Sequence, residues 1–301
     1  MSEGSRCGIG LTRETPAQNL RRMLRRYALH GWPRRTTWAV AAALIASAAS
    51  SRSVAASLEH QSRPGTNLTR DLEFVRLPSA TGRPPFSMMK NLVTVKAFAD
   101  CARSVACSDV GRDRDEPKER CNWKHGRYSH PINCVTWSEA VQFCNWVGAR
   151  LPTSAEWEYA ATSGVAGRRY PWGDSSVDGT KADYCDVNCP LSLGVDGKNF
   201  ALWDQRGWID RSQDDGFSAT APVGSYPRGA TVWGLLDMAG NVWQWTTTEF
   251  GGPGLREVRG GSWDNPPVAL ETSHRLGWPP DRADSGMGFR CARDQSTIGL
   301  H

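Results

Sequence analysis

Two stretches of the chain carry a helical period of apolar positions. Thr136 and Glu139 form a capping-box pair, Ala140, Phe143, Cys144 and Val147 fall on one face, and Gly148 stops the run. Thr153 and Glu156 repeat the device, Trp157, Ala160 and Ala161 follow, and Gly164 ends it. In each box the hydroxyl and the carboxylate satisfy amide donors that no helical turn reaches. Phe74–Leu77 and Val93–Val95 read as short strands. Cys101 to Cys134 is charged and Gly/Pro-punctuated, and reads as a loop held by bridges. After Gly164 the period vanishes into short apolar pieces between Gly, Pro, Asp and Asn. No repeat recurs at a fixed interval.

Near the start, an apolar run of a different kind stretches from Trp38 to Ala49. It is too short for a transmembrane helix, which needs roughly 20 residues. Arginines precede it and small residues follow, with cleavage expected after Ala48 or Ala55. That pattern is a secretory signal; an uncleaved membrane anchor is the alternative. The stretch before Met23 is long for a signal, which leaves Met23 as an alternative start. The expected organisation is a leader at 1–55, a polar linker at 56–71, one domain at 72–294 and a tail at 295–301.

Composition supports a loop-rich body. The 301 residues include 30 Gly, 18 Pro and 14 Trp, against 39% hydrophobic residues. Long helical bundles are excluded by the scatter of Gly and Pro, and disorder by the tryptophans and the mixed charge. The formal charge of +5 is misleading. There are 36 Lys and Arg against 31 Asp and Glu, but the first 55 residues hold nine of the Arg and two of the acids. The remainder has 27 basic and 29 acidic residues, a net of −2. The body therefore lacks the basic surface that nucleic-acid binding requires. A monomer with no membrane span in the mature chain is expected.

Of nine cysteines, Cys7 lies in the leader. The eight others form an even set, which in an exported chain reads as disulfides. Cys185 and Cys189 can bridge locally. Cys101, Cys107, Cys121 and Cys134 lack a CxxC spacing, which counts against zinc, and their pairing stays open.

Six ordered stretches carry a family resemblance: Asn133-Cys-Val-Thr-Trp137, Arg150-Leu-Pro-Thr-Ser-Ala-Glu-Trp-Glu-Tyr159, Tyr170-Pro-Trp-Gly173, Gly234-Leu-Leu-Asp-Met-Ala-Gly-Asn-Val-Trp-Gln-Trp245, Arg259-Gly-Gly-Ser-Trp263 and Gly288-Phe-Arg-Cys-Ala292. Together they resemble the formylglycine-generating enzyme (sulfatase-modifying factor) family. The resemblance implies a compact α+β fold with little regular secondary structure, related to C-type lectins. It also implies a Cys144–Cys291 bridge. A loop that long favours a large chain-entropy stabilisation, about 4–5 kcal/mol.

Family enzymes oxidise a substrate cysteine with O₂, using copper(I) held by two cysteines between the GGS and GFRC motifs. Polarizable sulfur suits Cu(I). Here the interval from Trp263 to Gly288 contains no cysteine. The copper positions fall near Pro266–Val268 and Thr272, so copper is not expected. The interval keeps Glu271, Thr272, His274 and Arg275 as candidate catalytic groups in a remodelled pocket. Alternatively, His274 is an ordinary surface residue, and Arg275 pairs with Asp281 to support a loop.

The resemblance further implies structural calcium, which wants carboxylate and carbonyl oxygens. One site matches Asp183, the Tyr184 carbonyl, Asp215 and the Phe217 carbonyl. A second matches Asp237, the Gly240 and Val242 carbonyls and Gln244, where Gln replaces the family's Glu. Ordinary acidic turns are the competing explanation. Most tryptophans belong in the core; Trp203, Trp208 and Trp278 lie in variable stretches, where packing into the core or loops is favoured and lining a cleft is the alternative. The leading function is an exported module that binds a peptide, protein or other ligand without standard oxidase activity. The alternative is a divergent oxidoreductase working in the remodelled cleft.

Overall fold

The first helix among the described residues was not expected from the sequence. In the computed structural model, which describes residues 72–80, 82, 84–108, 120–189 and 207–295, Val95–Arg103 forms α1. The reading of Val93–Val95 as a strand is therefore corrected. Thr94 makes one isolated bridge to Pro131, and its hydroxyl accepts from Ala97 N at 3.1 Å as the N-cap of α1. Val95, Phe98 and Cys101 recur at three-residue steps and are buried. That signal runs from the end of the expected strand to the first residue of the expected loop. The leader, the linker, Trp203 and all of the tail beyond residue 295 lie outside the described residues.

The two expected helices form where their caps place them, α2 at Trp137–Trp146 and α3 at Ser154–Thr162. Both capping boxes close. Thr136 N donates to Glu139 Oε2 at 2.7 Å, and Thr153 N to Glu156 Oε2 at 2.8 Å. Glu156 also receives Arg150 at 2.7 Å, which ties α3 to the preceding turn.

Two small sheets complete the α+β fold. In the first, β1 (Phe74–Leu77), β2 (Phe86–Met89) and β7 (Ala292–Asp294) lie in the order β1-β2-β7, all antiparallel. In the second, β3 (Trp243–Glu249), β4 (Arg256–Arg259), β5 (Arg275–Trp278) and β6 (Met287–Gly288) lie in the order β5-β4-β3-β6. There β3–β4 and β4–β5 are antiparallel and β3–β6 is parallel. Along β3 the side chains alternate between faces. Trp243 and Trp245 lie on one, Gln244 and Thr246 on the other, and all four are buried. Helix α3 packs on β3 and β4.

The main core gathers Phe98, Phe143 and Phe289, with neighbouring ring centroids 5.6–6.4 Å apart. Beside it Cys144 is bonded to Cys291, across 147 residues of sequence. The other bridges are Cys101–Cys107, Cys121–Cys134 and Cys185–Cys189. All eight body cysteines are thus paired as disulfides. Among the described residues no helix is long and apolar enough to cross a membrane.

Candidate functional site

Two loops far apart in sequence meet at the Asp215 carboxylate. Asp215 Oδ2 accepts from Tyr184 N at 3.0 Å, and its Oδ1 accepts from Phe217 N at 2.9 Å. Asp183 is buried. Its Oδ2 accepts from Ala221 N at 2.8 Å, whereas its Oδ1 has no hydrogen-bond partner. Asn241, whose N donates to the Asp183 carbonyl at 2.9 Å, likewise buries an Oδ1 without a partner. Burial pushes the Asp183 carboxyl well above its ordinary range, and the charges of Asp215, Asp237 and Asp186 add to the rise. Burial also pushes Asp215 up to about 7. Carboxylates crowded away from water with an oxygen unsatisfied are what a cation site looks like before its ion is counted. Among the described residues no three His, Cys, Asp or Glu side chains converge on a metal position. Further ligands here would be carbonyls, which suits calcium and not zinc.

The second set is arranged differently. Asp237 and Asn241 sit at positive φ, 51° and 63°, and shape the turn that carries Gly240 and Val242. Asp237 Oδ2 accepts from Gly224 N at 2.7 Å. Gln244 Oε1 accepts from Trp157 Nε1 at 2.8 Å and from Arg290 Nε at 2.7 Å, which uses both of its lone pairs. Gln244 Nε2 donates to the Asp237 carbonyl at 2.9 Å. A guanidinium thus already holds the oxygen that a cation at this place would need.

A cleft of about 410 Å³ opens beside Ser262, in the Gly260-Gly261-Ser262 turn that follows β4. Its walls include Trp208, Trp243, His274, Trp278, Asp264 and Asp284. Trp208 reaches it from a remote loop and donates Nε1 to the Asp264 carbonyl at 2.7 Å. Trp278 Nε1 donates to the Arg282 carbonyl at 3.1 Å. The Ser262 hydroxyl lies 2.5 Å from Asp264 Oδ1 and 2.9 Å from Asn265 Oδ1. Desolvation raises the Asp264 carboxyl above its ordinary range; the Ser262 hydroxyl draws it down, and the Asp284 charge pushes it up again.

Of the four candidate catalytic residues, only His274 lines this cleft, 5.9 Å from the Trp243 ring. Glu271 accepts from Arg169 Nε at 2.9 Å. Thr272 is buried, and its hydroxyl donates to the Arg168 carbonyl. Arg275 is exposed, 3.6 Å from Glu257 Oε2. Pro266 and Val268, at the expected copper position, line the rim. Trp208 and Trp278 line the cleft, whereas packing into the core or loops was the favoured expectation for them. Asp264, Asp284 and Ser262 were missed. The signal for the first was its position directly after the GGSW stretch; Asp284 carries none in the sequence.

The sequence profile of the sulfatase-modifying factor enzyme 1-like domain matches residues 60–295. A formylglycine-generating enzyme of Streptomyces coelicolor is 36% identical over 189 residues, which cover 56% of this chain and 54% of the relative. An inactive C-alpha-formylglycine-generating enzyme 2 of Bos taurus is 30% identical over 192 residues, covering 58% and 57%. The chain thus spans about half the length of the curated relatives it matches. The structure of PvdO from Pseudomonas aeruginosa superposes with a TM-score of 0.50 and 21% identity, over 74% of this chain and 91% of that one. At that identity the likeness concerns the fold alone.

Proposed function

The chain belongs to the sulfatase-modifying factor enzyme 1-like domain family, and from that premise we propose that it is an exported ligand-binding member without the standard formylglycine oxidase activity. One observation carries the reading. The interval between the GGS and GFRC motifs has no cysteine, and the eight cysteines of the body are all joined in disulfides. No thiolate is left to hold Cu(I) beside the cleft. Thr272, at one of the copper positions, instead ties its hydroxyl and amide to the Arg168 and Arg169 carbonyls. The bovine relative named inactive supports the reading that this fold persists without the oxidation.

The cleft is the binding site in this proposal, with a peptide as its ligand. Four disulfides support an oxidising compartment, and a cleaved leader at 1–55 would deliver the domain there. Calcium is proposed at Asp183, Asp215 and the Tyr184 and Phe217 carbonyls. There it would neutralise the carboxylates and join the two loops, a structural task. The second set fits a cation less well, because Gln244 is committed to Arg290 and Trp157. The oxidoreductase alternative rests on His274 as the one candidate catalytic residue that lines the cleft.

Incubating the purified protein with Cu(I), O₂ and cysteine peptides tests the central claim. The expected result is unchanged peptide. Aldehyde formation above a heat-denatured control overturns it.

A further inference from the structure

The cleft beside the GGS turn is uneven in charge. Asp264 and Asp284 line it, and among the described residues no lysine or arginine does. Three indoles and an imidazole make up much of the remaining wall. The faces of such rings carry negative potential, which attracts cations and repels anions. Trp208 and Trp278 are each fixed through the ring nitrogen to a backbone carbonyl, so their orientation is set before a ligand arrives. Trp278 already makes one contact of this kind with a residue outside the lining: the Arg282 guanidinium carbon lies 5.5 Å from its ring centre.

The rim has another character. Val268 is 55% exposed and Leu276 37%, and both border the cleft with Pro266. Apolar side chains at the mouth and carboxylates among aromatic rings within suit a ligand built the same way. Its stem would be apolar and its head positive. The methylenes of a long side chain would lie against the rim, and the head would reach the rings and acids.

We infer that this cleft selects ligands bearing an ammonium or guanidinium group on an apolar stem, as in a lysine or arginine side chain, over neutral and acidic ones. The inference rests on the reading of the cleft as the binding site and adds the chemistry of what enters it. Two arginines work against the selection: the Arg120 charge lowers the Asp264 pKa and so offsets part of the acidic field, and Arg282 already occupies the Trp278 ring. Asp284 and the ring faces supply the rest.

The probes are four blocked pentapeptides, Gly-Gly-Xaa-Gly-Gly, with lysine, arginine, norleucine or glutamate at the centre. Norleucine keeps the lysine stem and removes the charge. Each is titrated into the full chain with disulfides intact, in calcium buffer, followed by calorimetry and tryptophan fluorescence. The lysine and arginine peptides are expected to bind at least about tenfold more tightly than the norleucine peptide, with glutamate weakest. Asp284→Asn should narrow that gap at least about threefold while the melting temperature holds; Asp264→Asn gives a second measure if it folds. Equal binding of all four peptides, weakened alike by Trp278→Ala, overturns the charge selection and leaves the cleft as the binding site. No binding at millimolar peptide, or binding indifferent to both Trp278→Ala and Asp284→Asn, overturns the two together.

Discussion

Arg290 donates its Nε to Gln244 Oε1 at 2.7 Å in an interior that neither side chain leaves. The remaining guanidinium nitrogens reach the carbonyls of Met89, Lys90, Leu236 and Asp237 at 2.6–3.1 Å. One side chain near the C-terminus thereby links the end of β2, the Leu236–Asp237 turn and β3. Desolvation pulls its pKa down to about 10, and the Asp237 charge opposes the fall.

Arg290→Met fills much of the volume but takes a donor from one Gln244 lone pair and from four carbonyls, of which Asp237 keeps Gln244 Nε2 and Lys90 keeps the Leu236 amide. Each buried acceptor left unsatisfied costs about 1–3 kcal/mol, so the loss over this network is about 3–5 kcal/mol. Urea unfolding followed by fluorescence is expected to show a loss of that size. A change under 1 kcal/mol would mean that water replaces the guanidinium easily.

Gly240→Ala is expected to destabilise the fold by at least about 2 kcal/mol. Gly240 has a φ of +78°, and a Cβ there would lie 2.2 Å from the Asp183 carbonyl oxygen. The substitution strains the backbone and pushes apart the two segments that present oxygens to the proposed cation. Calorimetric melting measures the loss, and calcium titration of the folded variant reports weaker binding.

The disulfides should differ in worth. In the chain-entropy model, opening Cys144–Cys291, which closes 147 residues, costs about 5 kcal/mol, whereas opening Cys101–Cys107, separated by six, costs about 2 kcal/mol. Paired Cys→Ser variants compared by denaturant unfolding give the two values. The reverse order would place the stabilisation in native contacts and not in the denatured chain.

Chelation should make stability depend on pH in a definite direction. Without a cation, folded Asp215 has its pKa raised to about 7, above the unfolded value near 4. The folded form then binds the proton more tightly. Its contribution is present below the unfolded pKa and is lost as pH rises through 7. Asp183 and Asp237, also raised, act in the same sense. His130, whose pKa is lowered chiefly by burial, acts oppositely, costing stability as pH falls below 6.5. The informative quantity is the gap between the two melting curves, which isolates what calcium changes. Stabilisation by calcium should widen from pH 5 to pH 8. Curves that coincide across this range would remove the cation from the proposal.

Several features followed from short stretches of sequence. Thr136 with Glu139 and Thr153 with Glu156 are caps completed within four residues, so both helices could be placed without knowing their neighbours. The same holds for Phe74–Leu77 and for the even cysteine count. Helix α1 was overlooked because its cap, Thr94, stands between two valines that also suit a strand.

The family, the two capped helices and the missing copper thiols were determined by the sequence itself, because each depends on residue identity and local spacing. Only the tertiary structure decided that Cys101 pairs with Cys107 and Cys121 with Cys134, since pairing depends on Cα separations of 5.4 and 5.6 Å that four unordered cysteines do not specify. It likewise decided that the Gln244 oxygen is taken by Arg290, 46 residues away. And it gathered Trp208, Trp278 and two carboxylates into the walls of one cleft. Lone pairs and cleft walls are filled by whatever the packed chain brings within about 3–4 Å, and that proximity belongs to the fold.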